Sequence, residues 1–191
     1  MNTSASTRKS ATRVVAAGAC GAAVLASVSL AGTIRERDQL PVAAHAFLQA
    51  TIQASSVTAC LQGARDELYL PGDIRVRTAV AAQAALRRLR GCDVNQLARS
   101  LDQVHLPPAA PVTDTPRRLA RGDLVTGIAT LRRVVLDANG ADVAMTRNAE
   151  SGSDGTAVVL AYRSASAGSD AAYTLALRAL DLLGQPQSTA G

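Results

Sequence analysis

Aromatic side chains are nearly absent from this 191-residue chain, which has no tryptophan, a single phenylalanine (Phe47) and three tyrosines. A core without rings must be filled by Leu, Val, Ile and Ala, which pack helices closely and leave little room for a large aromatic-lined pocket. The same shortage argues against nucleic-acid binding, which uses aromatic stacking beside a concentrated basic surface. Histidine is limited to His45 and His105, and cysteine to Cys20, Cys60 and Cys92 with no C-x-x-C spacing. Redox, zinc and haem motifs are therefore missing, and no cofactor or metal is expected. The chain also lacks a G-x-S-x-G elbow, a G-x-x-x-x-G-K loop and an H-E-x-x-H pair.

What it does have is an uncharged run, 14–32, preceded by a leader, 1–13, whose charges are Arg8, Lys9 and Arg13. A cationic leader before an apolar stretch is an export signal, and the positive end stays in the cytoplasm. The run spans about 28 Å as a helix, close to a hydrocarbon core. Retention as a transmembrane signal anchor would leave the protein at the cell membrane, in contact with it through 14–32, with an extracytoplasmic C-terminal domain. Cleavage near Ala31, where Ser29, Leu30 and Ala31 offer small residues to a signal peptidase, would instead release a secreted protein. Ala17 stands where a lipid-modified Cys20 would require a larger aliphatic. Small residues at Ala17 and Gly21, and at Gly18 and Ala22, would allow close helix pairing in a retained anchor.

The leader also accounts for much of the charge. The whole chain carries 20 basic and 15 acidic residues, and three of the basic ones precede the apolar run, leaving 17 against 15 beyond it. The exported part is nearly neutral, so the high isoelectric point is largely a signal of topology. Cys60 and Cys92 are then the two thiols in an oxidising compartment and are expected to form a disulfide, with two separate buried thiols as the alternative.

Residues 33–184 suffice for one domain, and the spacing of apolar residues predicts a mainly α, single-domain helical bundle. A first helix follows Pro41, with Val42, Phe47, Leu48, Ile52, Val57 and Leu61 as its apolar positions. A second stretch, 64–70, ends at Pro71-Gly72. Asp73 is placed to cap a helix running through Arg90, with Val76, Val80, Leu86 and Leu89 buried. Asp93 is placed to cap a shorter one carrying Val94, Leu97, Leu101 and Val104. The connector 106–116 holds Pro107, Pro108 and Pro111, and it is the place where a subdomain boundary would fall.

Beyond the connector, Asp114 or Thr115 caps a helix with Leu124, Ile128, Leu131 and Val135 inside and Thr126, Thr130, Arg133 and Asp137 outside, stopped by Asn139-Gly140. The segment 141–163 reads either as short helices or as a small β-hairpin closed by a Ser/Gly loop. Ser169-Asp170 then caps a last helix, with Tyr173, Leu177, Leu180 and Leu183 inside and Arg178 beside Asp181. Gly184 and Pro186 end it before a frayed tail, 185–191.

Chemistry-bearing residues are scattered. Asp102 and His105, three apart, would share a helical face, and with His45 they form the one candidate polar site, although a helix-end histidine with a salt-bridge partner explains the pair as simply. Arg121-Gly122-Asp123 spells an adhesion tripeptide but falls inside a predicted helix. Asp154-Gly155 lacks the other carboxylates of a calcium loop. Arg87, Arg88 and Arg90, with Arg117, Arg118 and Arg121, could form a cationic face for an acidic partner or an anionic envelope polymer. With no complete catalytic constellation, the sequence favours a non-enzymatic protein-interaction or structural component of the cell envelope. An exported α-helical hydrolase or lyase, or a carrier of apolar ligands, is the alternative.

Overall fold

Alanine and threonine, more than leucine, set the seams along which these helices meet. In the computed structural model the described residues are 39–70, 74–75, 78–107, 114–148 and 155–184. The leader 1–13, the uncharged run 14–32 and the tail 185–191 lie outside them, as do Cys20 and Asp154. Among the described residues no helix is long and apolar enough to cross a membrane.

The described part of the first helix, α1, covers 39–66. Its buried seam includes Leu40, Ala44, Phe47, Thr51, Ala54, Val57, Leu61 and Ala64, recurring every three or four residues as a helical face requires. Val42 and Ile52, expected inside because of their size, are 68% and 47% exposed. Helical phase decides their position, and the small residues occupy the seam because they let the neighbouring backbones approach.

The helix runs past Ala64 without a break, so the expected separate stretch is its last turns. It leads into a two-residue strand, β1 (Tyr69–Leu70), paired antiparallel with β2 (Ile74–Arg75) in the register Tyr69 to Arg75 and Leu70 to Ile74. The β-pairing of the described residues is therefore here and not within 141–163, whose described parts are helical. With Ile74 and Arg75 committed to the ladder, helix α2 begins later than an Asp73 cap would place it, at Ala79–Gly91. Thr78 caps it, its hydroxyl accepting from the Ala81 N–H at 3.1 Å. Val80 is consequently exposed, while Ala82, Ala85 and Leu89 face the core. Val76 lies outside the described residues.

Helix α3 (Val94–Asp102) buries Val94, Leu97 and Leu101, and Val104 just beyond it is buried too, as their spacing predicts. Asp93 holds the cap position through its carbonyl, which accepts from Gln96 and Leu97, and not through its side chain.

Helix α4 (Thr115–Asn148) starts where predicted, with the Asp114 carbonyl accepting from Arg118, but it does not stop at Asn139-Gly140. Ala138, Ala141 and Met145 continue the buried face of Leu124, Ile128 and Leu131. Burying two further turns against the core outweighs the roughly 1 kcal/mol that an exposed helical glycine costs.

Helix α5 (Thr156–Leu182) is likewise one element. Ser169 does not cap a new helix: it is buried in mid-helix, 3.0 Å from the Thr58 hydroxyl of α1. This phase turns Ala165, Ala172, Ala176 and Ala179 inward and leaves Tyr173 half exposed. The helix ends as predicted, at Gly184 with φ +66°, whose N–H donates to the Asp181 carbonyl at 2.9 Å.

Side-chain contacts fix the directions. Arg178 meets Asp123, Gly168 lies against Val134, and Ser164 donates to Asp137, so α5 runs antiparallel to α4 in constant register. Thr58 with Ser169 and Arg65 with Tyr162 set α5 antiparallel to α1 as well. Helices α2 and α3 both pack on α4, and the core is one cluster drawn from both sides of the proline connector. The connector therefore joins the bundle and does not divide it, with Pro107 buried and its carbonyl accepting from Arg121.

Cys60 of α1 and Cys92 at the end of α2 form a disulfide across a sequence separation of 32, as expected from the sequence. Beside it, Arg88 of α2 pairs with Glu67 at 3.1 Å.

Candidate functional site

The three residues of the predicted polar site belong to different environments. Asp102 is the last residue of α3, exposed, with its Oδ1 3.6 Å from the Arg132 guanidinium of α4. His105 lies beyond the helix end, in non-helical chain, so the shared helical face that would have oriented it on Asp102 is not formed. His45 is half-buried on α1. Among the described residues no three His, Cys, Asp or Glu side chains gather as metal ligands.

The predicted arginine face is divided between two elements and partly neutralised. Arg88 is taken by Glu67, and Arg90 lies 3.7 Å from Asp142 and 3.4 Å from the Thr146 hydroxyl. Arg117 lies 3.7 Å from Asp114, and Arg121 donates to the Pro107 carbonyl. Arg87 and Arg118 are exposed. The adhesion-like tripeptide is fixed inside α4, with Asp123 Oδ2 3.2 Å from Arg178 Nε in an ion pair whose alignment falls short of a hydrogen bond.

Inside the bundle, the buried polar residues among those described are Thr51 and Ser169, and both hydroxyls are hydrogen-bonded, Thr51 to the Leu48 carbonyl at 2.7 Å and Ser169 with Thr58. The rest of the core is apolar and filled mainly by Leu, Val and Ala.

A surface that the sequence reading did not single out lies on the outside of α4. Arg118, Val125, Arg132, Leu136, Val143 and Arg147 recur at spacings of 7, 7, 4, 7 and 4, so they follow one line along the helix. Val125, Leu136 and Val143 are 45%, 64% and 47% exposed. The line carries three arginines and no carboxylate.

Shallow apolar grooves flank the line. One, of about 730 Å³, lies between α4 and α5 over Val125, Ala129, Ala167 and Gly168. The other, of about 220 Å³, lies between α3 and α4 over Ala98, Leu101 and Val135, with Leu136 in its wall and Asp102 and Arg132 at its edge. The signal for this face was available in the sequence, because aliphatics at spacings of 11 and 7 return to the same side of a helix after whole turns. It is chemically a contact surface: aliphatic side chains for area, guanidiniums for complementarity. Comparison with known protein families, curated proteins and solved structures returned no match to this chain.

Proposed function

We propose that this chain is an exported, non-enzymatic helical protein of the cell envelope that binds a protein partner along the outer face of α4. The leader and the uncharged run 14–32 support export, with the domain either tethered to the membrane or released near Ala31. The Cys60–Cys92 bond is consistent with an oxidising compartment. The observation that carries the binding reading is the exposed line Val125, Leu136 and Val143, set between two apolar grooves.

The occupant that fits is an amphipathic helix with acidic residues beside its apolar stripe. Grooves parallel to a helix accept a second helix through residues a turn or two apart, and Arg118, Arg132 and Arg147 complement acidic flanks. An anionic bilayer is a poorer match, because a helix that lies in the interface commonly carries Trp, Phe or Leu in quantity, whereas this face offers three aliphatics.

A photo-crosslinking side chain in place of Leu136, in the full chain within its native membranes, should yield one discrete protein adduct. The crosslinked peptide should be acidic and amphipathic, and the same probe at Gln96 on α3 should give none. Exchanging Arg132 and Arg147 for Glu, with the Leu136 probe in place, should reduce the yield by about tenfold, the equivalent of ~1.4 kcal/mol in affinity. Adducts to lipid alone, or no adduct at all, would contradict the reading.

A further inference from the structure

The start of α5 lies against the end of α1 and the β1 strand, and between them is a cavity of about 450 Å³. It is lined by Arg65 from α1, Tyr69 from β1, and Thr156, Val159, Tyr162 and Arg163 from α5. Its walls therefore carry two guanidiniums, two phenols and no carboxylate. Arg65 is held in place, with its Cζ 5.7 Å from the centroid of the Tyr162 ring and its Nη1 3.3 Å from the carboxylate of Asp66, a more exposed residue outside the lining.

The backbone is built to the shape of this cavity. Gly155, buried at the cap of α5 with φ +65°, has its Cα side against Leu68 and Tyr69: a Cβ there would meet Leu68 Cδ1 at 3.0 Å and the Tyr69 ring at 3.5 Å. Glycine thus allows the Tyr69 ring to lie against the first turn of α5.

We propose that this cavity binds a small organic anion, a carboxylate or phosphate carried on a flat ring. Two guanidiniums favour an anionic head by charge-assisted hydrogen bonds, and Arg65 keeps N–H donors available while its plane rests on Tyr162. The amino end of a 27-residue helix adds positive potential at the same mouth. The Tyr69 and Tyr162 rings with Val159 provide the flat and apolar walls that a bare inorganic ion would not use. The volume falls in the range of small-molecule sites, about 300–1,000 Å³. This site is separate from the α4 contact face and does not depend on it.

The scarcity of aromatics supplies the assay. With no tryptophan, emission comes from three tyrosines, and two of them, Tyr69 and Tyr162, line the cavity. Tyrosine emission of the full chain is to be followed at low salt during titration with phenyl phosphate, benzoate, inorganic phosphate and benzyl alcohol. Phenyl phosphate or benzoate should produce a saturable change with Kd below about 1 mM, and inorganic phosphate and benzyl alcohol should bind about tenfold more weakly or worse. Arg163→Gln, on an exposed side chain, should weaken binding by about tenfold, and Tyr162→Phe should reduce the amplitude while leaving the fold intact by circular dichroism. The proposal is overturned if neither aryl anion gives saturation, if benzyl alcohol binds as well as they do, or if a folded Arg65→Gln/Arg163→Gln variant binds them unchanged.

Discussion

Phe47→Ala should lower the unfolding free energy by about 3–5 kcal/mol, the cost of deleting a fully buried ring from a close-packed interior. Phe47 is the chain's single phenylalanine and is completely buried where α1 meets α4. Its ring lies over Gly127, where a Cβ would come 2.7 Å from Cε1 and closer still to Cζ. The two helices approach through a ring fitted onto bare backbone.

A second substitution makes the claim sharper. Ala is the better helix former by about 1 kcal/mol, so propensity alone says that Gly127→Ala stabilises. Overpacking against Phe47 costs about 1–3 kcal/mol and should reverse the sign. Gly140, on the exposed side of the same helix with open space around its Cα, supplies the control: Gly140→Ala should gain about 0.5–1 kcal/mol. Urea unfolding followed by far-ultraviolet circular dichroism checks both. Midpoints that move in the same direction for the two variants would show that the ring does not rest on Gly127.

Removing the disulfide should be almost as costly. Cys60→Ser/Cys92→Ser should destabilise the fold by about 3–4 kcal/mol, because a link across some thirty residues restricts the unfolded chain by that much on the loop-entropy account. The loss should not be uniform. Beyond the disulfide, α2 holds to the bundle through Ala82, Ala85 and Leu89 and through the exposed pairs Arg88 with Glu67 and Arg90 with Asp142. Exposed pairs contribute about 1 kcal/mol or less. Amide exchange in the double variant should therefore rise first in α2, while α4 and α5 keep their protection. A uniform rise across all five helices would contradict this division.

The elements that were legible in the sequence are those whose seams are built from large aliphatics. Helix α3 is the clearest, since Val94, Leu97, Leu101 and Val104 are both its pattern and its buried face. In α1 and α5 the inward residues are largely Ala, Thr, Ser and Gly, which carry weak hydrophobic contrast, so Val42, Ile52 and Tyr173 drew attention from the wrong side of the helix. Ser169 and Asn139-Gly140 are ordinary cap and stop signals. They were overridden because Thr58, 111 residues from Ser169, offers its hydroxyl a partner, and because Ala141 and Met145 still have core to cover. Local pattern cannot register either fact.

The same holds for the polar residues. Asp102 and His105 are close in sequence, yet the nearest opposite charge to Asp102 comes from Arg132, on another helix. The disulfide was legible because it rested on compartment and elimination, not on local pattern.

Export of a domain closed by Cys60 and Cys92 is the claim on which the proposed role depends, and counting thiols in intact cells tests it most directly. Cells producing the full chain with its own leader are quenched in acid, free thiols are blocked, and the protein is reduced and labelled with a maleimide of large mass. The account predicts that two cysteines take the label only after reduction, and that a Cys60→Ser variant takes none. Blocking of both Cys60 and Cys92 before reduction would place the domain in a reducing compartment and contradict the account.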